Sequence, residues 1–589
     1  MNLITPHIGE FFIIISIICN IFLIINPKKQ LYYSSFFCVL ISFLILTFLH
    51  LQDSFNVLSV FLTSHSSIPI LYKIIGIWGS YDGSLLLFAL LISFCPILIS
   101  KYNNDFTLKS FGFVLSGLLS VILFSSNPFL QLTISPERGL DLNPLLQDPH
   151  MASHPPSLYF GYALTSLVTI VGFPKELKCL HIKIIKYTWS FLTLGIVLGS
   201  RWAYYELGWG GFWFWDPVEN ISLLPWILVT LLLHINSYKY NTDFSNKTSY
   251  LTSMIVFPVS MMGMFLSRSS TLQSVHTFGV DYKKSIFLLC FFIIITIYFL
   301  FNGLKYLKKH SEHDLKEFSI NKGTLILISF SSFFIFIFVV ILLSLIIGSL
   351  NSKINFSPEF YNQLFLPAIL LILPFMIMIF NGNKLLKSIL SFIFSISFIY
   401  LFFSVEEILN SKFISVSLLI SMFTAVYILI SFIFNYKNFE KWPVHFSHLG
   451  VSLALFGALS SHFESENFYS IQKGDQFNFI GKTFKVISSE ESKEANYNAT
   501  IVNIRDISTK KLLSPERRYF WTQKKTHYEG VYKSFGLSHI HAFLGDDEKD
   551  GRNTLMMKYI PFINILWIGL YLCVFSGILI VLNILIKKR

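Results

Sequence analysis

Charged residues are scarce: Asp, Glu, Lys and Arg make up 13% of the 589-residue chain, where a soluble globular chain carries roughly 25%. That shortage excludes an ordinary water-soluble fold and, with 53% hydrophobic residues, points to a polytopic membrane protein. Cysteine is sparse too. The six, Cys19, Cys38, Cys95, Cys179, Cys290 and Cys573, are scattered through apolar stretches. None falls in CxxC or CxxCH, which excludes a zinc site of that spacing and a haem attachment site belonging to the chain itself. Their expected place is as small core or lipid-facing residues. No basic residue precedes the first apolar run, 11–25, and no small-residue cleavage site marks it, so it reads as a spanning helix and not a signal peptide. Alanine is also poorly used beside abundant Phe, Ile, Lys, Asn and Tyr. That balance hints at an AT-rich coding genome, mitochondrial or of a reduced bacterium.

What is there is a series of apolar runs, each long enough to cross about 30 Å of hydrocarbon. About fifteen can be drawn, from 8–26 and 33–51 through 156–174, 221–237 and 443–462 to 559–585. The loops between them fall alternately on two sides. One side holds 22 basic residues and the short loops of the other hold 8, which places the N-terminus outside and the C-terminus inside. The same bias accounts for the net charge of +12 without a nucleic-acid partner. The expected fold is therefore an all-α polytopic membrane protein with a small external β-rich domain. Residues 1–463 form the multi-span domain, 464–556 the external domain and 557–589 a last spanning helix. The external segment is charged at 27 of its 93 positions, and 476–480, 483–487 and 500–504 alternate as strands do. Nothing in it looks catalytic; it reads equally as a folded spacer and as a docking surface for partner proteins.

One outer segment carries the chemistry. Residues 209–220 read Trp209, Gly210, Gly211, Phe212, Trp213, Phe214, Trp215, Asp216, Pro217, Val218, Glu219, Asn220. An interfacial aromatic belt accounts for the rings, but not for a glycine pair or for Asp, Pro, Glu and Asn in that order. Glycines let a flat ligand approach the backbone, and large rings offer stackable faces to a planar macrocycle. Asp216 before Pro217 reads as a turn former or as a residue that orients its loop or a ligand. His154 and His276 bracket the segment and share its side, as two axial ligands of a haem would. His234 and His448 lie inside apolar runs, where ionisable groups are costly and by default functional. Both are toward the inner ends of their helices, so a bis-histidine haem b site is the expectation, with His445 as competitor to His448. Arg201 and Arg268, external and beside the segment, are the expected partners of haem propionates.

The stretch 206–220, with Pro225 and Trp226 following, resembles the WWD signature of the haem-handling proteins of cytochrome c maturation. Within that superfamily the chain is similar to the CcmF family. Residues 78–86, 143–149, 154–159, 268–276 and 448–450 carry the likeness further, and it extends to 514–519 in the external segment. The resemblance implies a haem lyase. Holo-CcmE, a haem chaperone, would present haem to the tryptophan segment, where His154 and His276 ligate the iron. His234 and His448 would hold a second haem b that passes electrons, from quinol, to the first. Apocytochrome c would arrive with reduced CxxCH thiols, helped by a CcmH-type partner. The nucleophiles then belong to the substrate, so no catalytic Cys–His or Ser–His arrangement is expected. Phe212 stands where many relatives have Trp, and it lacks the indole donor. Two other readings of the same histidines are a haem transporter and a b-type electron-transfer subunit. The membrane concerned would be the mitochondrial inner membrane or the bacterial cytoplasmic membrane.

Overall fold

The computed structural model describes residues 5–586 apart from 174, 208–210, 238–242, 270, 273, 275, 277, 279, 280, 311–321, 352, 353, 355, 379, 381–383 and 548–550. Fourteen helices among the described residues are long and apolar enough to cross a membrane, by length and composition. A further helix, His154–Val171, has the length but opens on His154, Pro155, Pro156 and Ser157 and carries two tyrosines. Most of its residues are buried by neighbouring protein, and a helix shielded from lipid need not be as apolar as one that faces it. Each of the expected runs coincides with one of these fifteen helices. Two short helices, Leu58–Thr63 and Ile70–Gly79, lie in what the sequence left as a loop.

The chain divides into two compact units. The first takes in residues 1–199 and 213–361, the second 200–212 and 362–589. In the first unit, Thr5–Ile25 and Lys29–Leu51 form an antiparallel pair. They are tied inside the apolar layer by Ser16 and Ser35, whose hydroxyls are 2.9 Å apart, and by Asn20 Nδ2, which donates to Ser35 Oγ at 2.8 Å. Such bonds satisfy groups that lipid cannot. Tyr81–Leu98 begins at Ser80, whose hydroxyl accepts from Gly83 N at 3.0 Å, an ordinary N-cap. Around the central His154–Val171 helix pack Tyr81–Leu98 and Asp243–Leu266.

In the second unit, Trp442–Ser460 and Ile563–Ile586 lie against each other almost backbone to backbone. A Cβ on Gly450 would come within 2.5 Å of Gly569 O, and one on Gly457 within 2.4 Å of Leu566 N. Only glycine permits that approach. Between these helices in sequence come, among the described residues, ten strands: β1 (Ser465–Ile471), β2 (Gln476–Phe479), β3 (Lys482–Lys493), β4 (Tyr497–Asp506), β5 (Leu512–Leu513), β6 (Glu516–Phe520), β7 (Lys525–Glu529), β8 (Val531–Phe535), β9 (Ser538–Asp547) and β10 (Asn553–Ile560). One antiparallel sheet has the order β1-β10-β9-β8, and the other β2-β3-β4-β6-β7 with β5 also on β4. Phe479, Phe484, Val486, Val502 and Ile504 from one sheet meet Ile471, Ile540, Leu544, Leu555 and Met557 from the other in a shared core. The alternation seen at 476–480, 483–487 and 500–504 is that of β2, β3 and β4, each burying every second side chain.

Candidate functional site

The aromatic segment ends as the start of a helix. In Pro217–Ser237, Asp216 is the residue before the first turn, and its Oδ1 accepts from Val218 N at 2.8 Å and Glu219 N at 3.4 Å. Glu219 reaches back, its Oε2 accepting from Asp216 N at 3.2 Å and Phe214 N at 2.9 Å. With Pro217 in the first helical position this is a reciprocal capping box. Asn220 Nδ2 donates to Trp215 O at 2.8 Å, which holds Trp215 at φ 55°, in the left-handed region. A bulky residue rarely takes that conformation unless its surroundings impose it. So displayed, Trp215 stacks on Tyr361 with centroids 5.0 Å apart and meets Trp213 edge-on at 6.0 Å. The Trp213 indole N–H is buried and finds no hydrogen-bond partner among the described residues. A pocket of about 170 Å³ opens here, lined by Phe214, Trp215, Asp216, Leu272, Phe356 and Tyr361 among others.

Asp216 has a second task. Its Oδ1 accepts from Ser274 Oγ at 2.6 Å and faces His276 Nδ1 at 3.3 Å. Burial pushes the Asp216 carboxyl up, but hydrogen bonding to and charge on His276, with Ser274 and Val218 N–H behind them, hold it below the usual carboxylate value. The converse holds at His276: burial pulls the imidazole down, and Asp216 and then Glu219 lift it above its ordinary value. His154 stands close enough for the charge on His276 to bear on it. Its Nδ1 donates to Gly195 O at 2.8 Å, and Gly199 lies so near that a Cβ there would be 2.5 Å from His154 Cε1.

Arg268 is completely buried. Its guanidinium donates to Ser84 Oγ at 2.7 Å, Tyr159 OH at 3.1 Å and Met264 O at 3.3 Å, and it lies 4.5 Å over the Phe278 ring. Those contacts face inward, and none of them points it at a propionate. They join one signature stretch to two others, since Ser84 belongs to 78–86 and Tyr159 to 154–159. Asp82 and Lys284 add an ion pair at 2.7 Å, and Trp78 Nε1 donates to Met151 O at 2.8 Å.

In the second unit, Arg201 stacks over Trp567 at 4.7 Å and Tyr532 at 5.1 Å and donates to the Tyr532 hydroxyl. Tyr204 OH bonds His541 Nε2 at 2.7 Å and His539 Nδ1 at 2.8 Å, and His539 Nε2 bonds Asn564 Oδ1 at 2.7 Å. Phe212 packs with Tyr204, Ile563 and Trp567, so its ring is engaged there; Gly211 is half-buried. Trp209 and Gly210 lie outside the described residues. His234, in the first unit, gives its Nδ1 hydrogen to Thr230 O at 2.8 Å and stacks on Phe330 at 5.3 Å. His448, in the second, does the same with Val444 O at 2.7 Å. His445 bonds Lys441 O at 2.9 Å and is more deeply buried. Nothing in the sequence marked Tyr361, and Ser274 stood only as one member of the stretch 268–276. The His539 and His541 pair sits on alternate residues of one strand, but two histidines at that spacing are not by themselves a signal.

Comparison with known proteins bears on the same stretches. The family described as Cytochrome C assembly protein matches residues 78–276, the span that contains Ser84, Tyr159, the capping box, Arg268 and His276. Over 93% of this chain and 90% of its own length, the cytochrome c-type biogenesis protein CcmF of Escherichia coli is 28% identical. Over nearly its whole length the chain is similar to the CcmF proteins of cytochrome c biogenesis. The chain is likewise similar to the cytochrome c-type biogenesis protein CycK of Bradyrhizobium diazoefficiens, 29% identical over 91% of this chain and 88% of that one. A solved structure described as the cytochrome c haem lyase CcmF shares the fold, with a TM-score of 0.74 at 18% identity over 98% of this chain and 97% of the other. The likeness to cytochrome c biogenesis proteins goes with fourteen helices, among the described residues, long and apolar enough to cross a membrane.

Proposed function

We propose that the protein is a haem lyase that orients haem at the aromatic segment for covalent attachment to apocytochrome c. The observation that carries this is the meeting of the capping box, His276 and the Trp215–Tyr361 stack at one pocket edge, with His154 alongside. The residues fit the group. Each of His154, His234 and His448 commits Nδ1 to a backbone carbonyl, and His276 faces Asp216 with its Nδ1. Second-shell bonds of that kind fix the tautomer in which Nε2 is the ligating atom. The unpartnered Trp213 N–H suits a donor waiting for a ligand.

When bound, haem supplies the vinyl carbons to which substrate thiols add; each S–H adds across C=C, the sulfur bonding one carbon and the proton going to the other. The chain's own residues do the positioning. His154 and His276 hold the iron, Trp213, Trp215 and Tyr361 flank the ring, and Asp216 orients His276 while Glu219 fixes the loop. Trp209, Gly210, Gly211, Phe212 and Asn220 belong to the same segment. His234 and His448 are assigned to a haem b that keeps the first reduced, with quinol as electron source. CcmE-type chaperone, CcmH-type partner and apocytochrome c are the assigned partners. The strand-rich segment 464–556 is taken as the outer domain that meets them, with the N-terminus on the same side. Arg201 is retained as a propionate partner only if its aromatic box opens; Arg268 acts instead as an internal tie.

The test is to supply apocytochrome c and haem-loaded chaperone and to look for haem that stays with the cytochrome through denaturing gel electrophoresis. His154→Ala and His276→Ala are expected to abolish that product. An undiminished product in either would remove the ligand assignment. Loss of the membrane haem spectrum in His234→Ala and His448→Ala, with His445→Ala harmless, is expected for the inner pair. A product that forms normally without that spectrum would assign those histidines to structure.

A further inference from the structure

A second cluster of ligand-type side chains lies wholly within the second unit and shares no residue with the four histidines assigned to haem. Glu206 ends the helix Lys178–Glu206, just ahead of the aromatic segment, and His527 and Glu529 stand two apart on β7, so both project from one face of the strand. His527 Nε2 is 3.3 Å from Glu206 Oε2 and 3.7 Å from Glu529 Oε2, and the three atoms lie within 4.8 Å of one another. Ligands about 2.0–2.1 Å from a tetrahedral Zn²⁺ stand roughly 3.3–3.5 Å apart. The imidazole already meets that spacing with one carboxylate and nearly meets it with the other.

Charge points the same way. Arg518 bonds Glu529 Oε2 and Glu516 Oε2, each at 2.8 Å. One guanidinium is thus shared between the carboxylates of Glu516 and Glu529. The side chains of Glu206 and Glu529 are only 3% and 11% exposed, where carboxylates need close partners. Two carboxylates and a neutral imidazole converging in such a place are a cation site in their chemistry, and the donor set is that of a borderline metal.

We propose that Glu206, His527 and Glu529 bind one divalent cation of the Zn²⁺ class, fastening the helix end that leads into the aromatic segment to the outer β-sheet. Three protein ligands leave a fourth position for water. The site is independent of the haem reading and stands or falls by itself.

The experiment uses the full chain in detergent or nanodiscs, stripped with a chelator and titrated with Co²⁺ and then Zn²⁺. Co²⁺ is read by the visible absorption of a tetrahedral site and Zn²⁺ by competition with a chromophoric chelator. One equivalent is expected, with Zn²⁺ displacing Co²⁺. His527→Asn and Glu529→Gln are expected to weaken binding by more than about 100-fold, beyond what loss of an outer-shell partner costs. The exposed His462→Asn is expected to leave it unchanged. Failure of the wild-type chain to bind Co²⁺ or Zn²⁺ below millimolar concentration overturns the proposal, and needs no variant to fold. Equal binding in wild type, His527→Asn and Glu529→Gln overturns it as well, because the cation then sits elsewhere.

Discussion

Asp216 does two separable things, and replacing it by Asn or by Ala separates them. Asn is as good an N-cap as Asp, because its side-chain oxygen can still accept from Val218 N, now 2.8 Å away. Asp216→Asn is therefore expected to change thermal stability by a few tenths of a kcal/mol. Asp216→Ala loses the cap and should cost about 1 kcal/mol, within the 0.5–2 range for such changes. Haem binding follows the other function. The Asp216 and His276 side chains are 11% and 19% exposed, so water screens their 3.3 Å pairing only weakly. Removing the carboxylate takes away the partner that fixes the imidazole tautomer, and such second-shell losses run to about 10–100-fold in metal affinity. That corresponds to about 1.4–2.7 kcal/mol. Asp216→Ala should lose it in full, and Asp216→Asn, whose oxygen still accepts from the imidazole but carries no charge, only in part. The assay is scanning fluorimetry for stability beside a haem titration read by absorbance, run in a His234→Ala background so that membrane haem does not contribute. Equal stability loss in Asn and Ala variants, with haem affinity untouched in both, would refute the two-function account of Asp216.

Three other outcomes are expected. Gly199→Ala should push the His154 ring from its place, since the new methyl would lie 2.5 Å from Cε1, whereas Gly263→Ala meets nothing nearer than 3.8 Å; covalent haem yield should fall in the first and hold in the second. Arg268→Lys should destabilise the chain by roughly 3 kcal/mol, because one ammonium cannot reach Ser84 and Tyr159 as the guanidinium fork does; an unchanged melting temperature would contradict the tie. Burial holds His539 down to about 4 and pushes His541 down as well, so both fold as neutral rings while the unfolded histidine titrates near about 6.5. Between those values the unfolded chain binds the extra proton. Stability is therefore full above about 6.5 and falls as pH drops toward about 4, by up to roughly 3 kcal/mol for His539 alone. Thermal unfolding across that range should show the slope in wild type and less of it in His539→Gln; parallel curves would remove His539 as its source.

The helical part of the fold was legible because apolar runs of spanning length have few other uses. The helix His154–Val171 could be found that way although it is the least apolar of the fifteen. Leu58–Thr63 and Ile70–Gly79 could not, since six or ten residues carry too little periodicity to separate from a loop. In the external segment, strict alternation gave away β2, β3 and β4, whereas β9, buried through Ser538–Leu544 on both faces, has no such pattern. At the site, Asp216 before Pro217 read as a turn former or an orienting residue, and the capping box with Glu219 emerges only in the folded chain. Partners brought in by folding left no trace. Tyr361 opens a distant helix, Ser274 is one serine among many, and Glu206 meets His527 and Glu529 across hundreds of residues. Arg268 was expected to reach outward because a loop beside a span is ordinarily wet; its surroundings of Ser84, Tyr159, Tyr81 and Phe278 exist only in three dimensions.

The carbonyl-bound imidazoles bear on turnover. A side chain that must be frozen when a ligand arrives lowers affinity by the entropy it gives up, and regains that freedom when the ligand leaves. His154, His234 and His448 are already tied by Gly195, Thr230 and Val444, so their rotamers are set when the chain folds. Capture and release of a guest then involve the guest alone. On the proposed reading of these histidines as ligands, such stiffness lowers the entropy lost on capture and so strengthens the hold on the guest.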